Sequence, residues 1–181
     1  MNDKKILVLG MGNILMQDEG IGVRAVELFS SQYNFPENVN VMDGGTTGIE
    51  LYNPIINCDY LIVTDAINSG DKDGSLIRIA NEQIPAFFQT KLSNHQLGLS
   101  DLLALMRLKD TTPKQVILIG MVPYLLENKL GLSSQAQKNI PKMVVMIVDE
   151  LNKLGITVVK KEKPDMGHWQ KEEMYEKNMQ I

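Results

Sequence analysis

Four short apolar runs constrain this chain more than any other feature. They are Ile6-Leu7-Val8-Leu9, Val39-Asn40-Val41-Met42, Tyr60-Leu61-Ile62-Val63-Thr64 and Gln115-Val116-Ile117-Leu118-Ile119. Each is nearly continuous rather than alternating, the pattern of a strand covered on both faces by helices. A fifth run, Leu76-Ile77-Arg78-Ile79, alternates more and follows the turn-rich Gly70-Asp71-Lys72-Asp73-Gly74. It reads as an edge strand antiparallel to the rest. Helical periodicity fills the gaps. Val23, Val26, Leu28 and Phe29 mark a first helix after Gly22. Leu99, Leu102, Leu103, Met106 and Leu108 mark another, with Ser93-Asn94 and Ser100-Asp101 as competing starts. Met143, Val144, Ile147, Val148, Leu151 and Leu154 form the clearest apolar stripe, with Pro141 in its first turn and Gly155 as its stop. Strands alternating with helices imply an α/β fold, a three-layer sandwich.

At 181 residues, with 44% hydrophobic and 22% charged, the chain fits one domain with its own core. Residues 1–159 make up that domain. Residues 160–181 form a charged C-terminal extension, either a short helix docking through Trp169 and Tyr175 or a frayed segment. Eighteen basic against 22 acidic residues give a net charge of −4, without the basic excess of a nucleic-acid binder. The single cysteine, Cys58, excludes an intramolecular disulfide and a thiolate metal cluster. No stretch approaches the roughly 20 apolar residues of a membrane span. A cytoplasmic monomer without membrane or nucleic-acid partners is expected.

In an open α/β sheet, ligands bind beyond the carboxyl ends of the strands, where strand order reverses. After the first strand comes Gly10-Met11-Gly12 and then Asp18-Glu19-Gly20-Ile21-Gly22; after the second, Asp43-Gly44-Gly45-Thr46-Thr47-Gly48; after the third, Asp65-Ala66. His95 precedes a later helix. Gly10-Met11-Gly12 with Asp43 suggests a dinucleotide site, but Leu15 stands where the third glycine is required, and Asp18-Glu19 would repel a pyrophosphate. Singly, the other residues have structural explanations: Asp18 as a helix cap, Glu19 in a first helical turn, Asp65 in a turn and His95 in a loop. Together, two carboxylates and an imidazole offer oxygen and nitrogen donors suited to a divalent ion such as nickel or zinc.

Those stretches, in that order and joined by Asn94-His95-Gln96, resemble the hydrogenase maturation proteases over roughly residues 4–155. These endopeptidases complete the large subunit of nickel–iron hydrogenases. Ser100-Asp101-Leu102-Leu103-Ala104-Leu105 and Leu130-Gly131-Leu132-Ser133 look like the branch serving uptake-type enzymes. The resemblance implies a twisted five-stranded mixed sheet of order 2-1-3-5-4 with the fourth strand antiparallel, of phosphorylase/hydrolase-like type. It places the family's nickel-binding trio on Glu19, Asp65 and His95, which are then also the catalytic candidates. Its implied partner is the large-subunit precursor, which brings the nickel and loses a C-terminal extension; zinc or cadmium would replace nickel in vitro.

Cys58 precedes a strand, at the wrong end of the sheet for a nucleophile, and no Ser/His/Asp arrangement is apparent. A carboxylate acting as general base on water, or nickel polarising the scissile carbonyl, remains. Asp43, Gly44 and Gly45 are candidates for binding the substrate or an oxyanion, or else form a plain tight turn. A chaperone that checks nickel without cutting is the alternative of a different class. Pro54 is expected to shorten or kink the helix after the Asp43 motif.

Overall fold

The structure, a computed structural model, describes residues 4–84 and 94–179, with the backbone alone over 94–100. All five anticipated strands form: β1 (Ile6–Met11), β3 (Val39–Gly45), β4 (Tyr60–Ala66), β5 (Leu76–Ala80) and β6 (Gln115–Met121). Their order across the sheet is β3-β1-β4-β6-β5, with β5 antiparallel to β6 and the other pairs parallel. Numbered within this sheet, that is the expected 2-1-3-5-4. A short strand β2 (Tyr33–Asn34) pairs separately with β7 (Val159–Lys160).

Side chains alternate across the sheet, which explains the continuous apolar runs. Ile6, Val8 and Ile62 point to one face and pack on α1 (Ile21–Gln32), through Ala25, Val26 and Phe29, while Ile117 and Ile119 of β6 on the same face meet the helix Ser134–Lys153. Leu7, Leu9, Leu61, Val63, Val116 and Leu118 point to the other face. There they meet Leu51, Ile55 of α2 (Tyr52–Ile56), and Leu102 and Met106 of α3 (Asn94–Leu108). The helix containing Pro54 is five residues long, in line with the shortening expected of that proline.

The C-terminal stripe belongs to α4 (Ser134–Lys153), which starts earlier than its apolar residues suggested. Pro141 lies in the interior of α4, not in its first turn. Ser133 caps the helix, accepting a hydrogen bond from the Ala136 N–H at 3.2 Å. Ala136 and Ile140 continue the buried stripe upstream of Met143 and Ile147, so packing outweighs the one backbone hydrogen bond the proline removes. Gly155 ends the segment in the left-handed region, with φ 77°.

An ion pair between the buried Glu150 and the exposed Arg78 fastens α4 to the edge strand. Glu150, 5% exposed, accepts from Arg78 Nε of β5 at 2.7 Å and Nη2 at 3.0 Å, and from Lys153 Nζ at 2.7 Å. The Arg78 guanidinium holds the Glu150 carboxyl below the usual carboxylate range, against the opposing effect of burial. Its stabilisation is therefore complete above the unfolded pKa of about 4.3 and is lost as pH falls through the lower native value. Glu150→Gln is expected to cost about 1–3 kcal/mol at neutral pH. The difference in thermal midpoint from wild type should narrow in melts below about pH 4. A difference that does not vary with pH would assign the contribution to packing.

The extension folds back along α1. Lys161 N donates to Gln32 O at 2.7 Å, Asp165 N donates to Ser31 O at 3.0 Å, and residues His168–Met179 form α5. Trp169 is half-buried, while Tyr175 is 62% exposed. Among the described residues no helix is long and apolar enough to cross a membrane.

Candidate functional site

The strand order reverses between β1 and β4, and the loop after β1 fills the space over their carboxyl ends. Residues Gln17–Gly20 form a single 3-10 turn leading into α1. Gln17 adopts φ 50°, an uncommon conformation for a residue with a side chain, and sits buried just before Asp18 and Glu19. Two glycines allow this loop to lie so close to the sheet. A Cβ on Gly22 would come within 2.2 Å of Thr64 O and 2.3 Å of Met11 O; one on Gly12 would come within 1.9 Å of Glu19 O. Thr64 Oγ1 also donates to Gly22 O at 2.8 Å. The backbone of Glu19 is thereby set against β1, and the start of α1 is locked onto the residue preceding Asp65.

Asp65 is the penultimate residue of the central strand β4 and is only 4% exposed. It is covered because β1 and β6 flank β4 and the β1–α1 turn packs on its end. By strand alternation Asp65 belongs to the face of Leu61 and Val63, which is the face α3 covers. The end of α3 that lies near Asp65 follows from connectivity. Residues 109–114 join Leu108 to the amino end of β6, so α3 runs antiparallel to β6 and its first residues lie toward the carboxyl ends of the strands. His95 is the second residue of α3. Its side chain lies outside the described residues. Among the described residues no group of three or more His, Cys, Asp and Glu is placed to hold a metal ion.

Asp43, Gly44 and Gly45 close the edge strand β3 beside this loop. Gly12 N donates to Gly45 O at 2.8 Å, so the two loops interlock. Within the motif, Gly45 N donates to Asp43 Oδ1 at 2.9 Å, and both Thr47 N and Thr47 Oγ1 donate to Gly44 O, at 3.0 and 2.6 Å. The Asp43 loop, Glu19 and Asp65 thus share one end of the sheet, and the topology directs the start of α3 to the same end.

Asp18 does not cap α1. The residue preceding that helix is Gly20, and no side chain bonds to its end. Asp18 is instead fully buried and acts as a knot between three segments. Its Oδ2 accepts from Tyr124 N and Leu125 N, each at 3.0 Å, and from Ser133 Oγ at 2.8 Å; its Oδ1 accepts from Ser133 N at 2.7 Å. Ser133 in turn caps α4. The loop carrying Glu19 is therefore tied to the segment after β6 and to the start of α4. The sequence signal for this contact was Ser133 itself, which opens a helix and ends the Leu130-Gly131-Leu132-Ser133 stretch.

Cys58 takes no part in the site. It lies before β4, at the opposite end of the sheet, with its thiol donating to Ile55 O at 3.1 Å. Burial, aided by the neighbouring Asp59 charge, pushes its pKa up to about 12, which leaves almost no thiolate at neutral pH.

A family model described as hydrogenase maturation protease matches residues 23–150. Hydrogenase 2 maturation protease of Escherichia coli is 40% identical over 159 residues, covering 87% of this chain and 97% of that protein. Hydrogenase expression/formation protein HupD of Bradyrhizobium diazoefficiens is 40% identical over 164 residues, covering 90% and 85%. Among solved structures, the hydrogenase maturating endopeptidase HybD from E. coli superposes with a TM-score of 0.83 at 39% identity, covering 87% of this chain and 98% of that one. The [NiFe] hydrogenase maturation protease HybD from Thermococcus kodakarensis gives 0.67 at 26% identity, covering 81% and 98%. With the strand order and the loops after β1, β3 and β4 arranged as described, these matches show that the chain belongs to the hydrogenase maturation protease family and is a hydrolase of the endopeptidase class.

Proposed function

We propose that this endopeptidase removes a C-terminal extension from the nickel-loaded precursor of a nickel–iron hydrogenase large subunit, acting as a cytoplasmic monomer. The observation that carries the reading is the gathering of Glu19, Asp65 and the start of α3 at the carboxyl ends of β1 and β4. In this reading Glu19, Asp65 and His95 take up nickel that arrives with the substrate. Two carboxylates and one imidazole suit that ion and leave room for ligands from the precursor. The metal is then the signal that the precursor is loaded. Asp43 and the Gly44-Gly45 backbone bind the chain to be cut.

Hydrolysis proceeds by direct attack of water on the scissile carbonyl. The water gives up a proton, the C–N bond breaks, and the departing amine is protonated. Either a carboxylate of the trio accepts the water's proton, or nickel polarises the carbonyl. The position and raised pKa of Cys58 support a route without a covalent thiol ester.

The test is incubation of the protein with nickel-loaded and nickel-free precursor, followed by intact mass. Loss of a C-terminal fragment from the loaded form alone is the expected result. Equal cutting of both forms would overturn nickel recognition. Stable binding of the loaded form without shortening would replace cleavage by a chaperone role.

A further inference from the structure

The extension reaches back to Asp43. Trp169 Nε1 donates to Asp43 Oδ2 at 2.8 Å, while Gly45 N donates to the other oxygen. Asp43 lies on an exposed edge, where a carboxylate side chain would otherwise sample several rotamers. The indole is held from outside the loop it contacts. Trp169 N donates to Glu27 Oε1 at 2.6 Å; Glu27 pairs with Arg24 at 3.3 Å, and Arg24 pairs with Glu173 of α5 at 2.8 Å. Arg24 and Glu27 belong to α1, so the donor is fixed by the body of the fold before it meets the carboxylate.

We propose that the C-terminal helix is part of the substrate-binding rim, with Trp169 as a positioning residue that holds the Asp43 carboxylate in a single orientation for the precursor. This rests on the reading of Asp43 as substrate-binding. A carboxylate offers about four acceptor sites, and the two bonds present occupy one on each oxygen. Among the described residues no other donor is recorded on it, which leaves the remaining acceptors for N–H groups of an extended chain. Fixing the side chain beforehand spares the ordering cost on binding, an effect of about 2–10-fold in affinity for one side chain. The bond contributes to affinity and not to the chemical step, because the indole acts through Asp43.

Trp169 is the only tryptophan, so its indole N–H gives a single indole resonance in a proton–nitrogen NMR spectrum of the full chain. Asp43→Ala is expected to shift that resonance upfield and speed its exchange with solvent, while the anchors on α1 remain intact. An unmoved resonance would overturn the proposal. With nickel-loaded precursor, Trp169→Phe is expected to raise KM about 5-fold, with kcat and thermal midpoint little changed. The Asp43→Ala, Trp169→Phe double variant should match Asp43→Ala alone. If Asp43→Ala raises KM but Trp169→Phe does not, or if their effects multiply, positioning by Trp169 is wrong and the role of Asp43 stands. If Asp43→Ala leaves KM unchanged, the substrate-binding reading falls and takes the proposal with it.

Discussion

Asp65→Asn is expected to lower the rate of cleavage of nickel-loaded precursor by about 100-fold or more, the range of a lost acid–base group or metal donor. The substitution preserves volume at a residue 4% exposed, so it leaves the packing between β1 and β6 intact. What it removes is the negative charge, on which the proposed roles of this side chain as a divalent-ion ligand and a proton acceptor both rest. Far-ultraviolet circular dichroism and a melt on the same preparation separate chemistry from folding. His95→Ala should produce a loss of similar size, since the imidazole nitrogen has no substitute among the two carboxylates. Wild-type rates in both variants would remove Glu19, Asp65 and His95 from their proposed roles.

Asp18→Ala carries the largest expected stability cost, about 3–5 kcal/mol, or roughly 10 °C in thermal midpoint for a domain of this size. The carboxylate accepts four hydrogen bonds in a fully buried position, from Tyr124, Leu125 and Ser133. Deleting it leaves three backbone N–H groups and a hydroxyl without that acceptor, and each unsatisfied buried donor is costly. Asp18→Asn should not rescue, because its amide turns donors toward donors. Ser133→Ala, which loses only a hydroxyl bond and a cap, should cost about 0.5–2 kcal/mol. A loss of that smaller size for Asp18→Ala would return Asp18 to the rank of an ordinary cap. Cleavage should fall along with stability, since the same loop carries Glu19.

These two acids differ in how far local sequence could describe them. Asp65 follows directly from an apolar run of strand length, and the rule that α/β sites gather at carboxyl strand ends is enough to single it out. Asp18 stands beside Glu19 in a loop before a helix, where short-range rules make it a cap. Its actual partners lie at residues 124, 125 and 133, more than a hundred positions away. Pro141 follows the same logic. Local propensity places it at a helix start, but Ala136 and Ile140 packed on the sheet carry α4 through it.

The strands, their layered cover and the acidic positions at their ends are all legible from the order of residues along the chain. These depend on period, apolar content and turn residues, which are properties of neighbours in the chain. The motifs Asp18-Glu19, Asp43-Gly44-Gly45, Asp65-Ala66 and Asn94-His95 also carried the family. Folding is what makes Asp18 a structural knot, covers Asp65 and brings the Trp169 indole of the extension onto Asp43. Each of these depends on a hydrogen bond or a packing layer between segments far apart in sequence. Such contacts have no period and no local signature, because their geometry exists only once the sheet has brought the segments together.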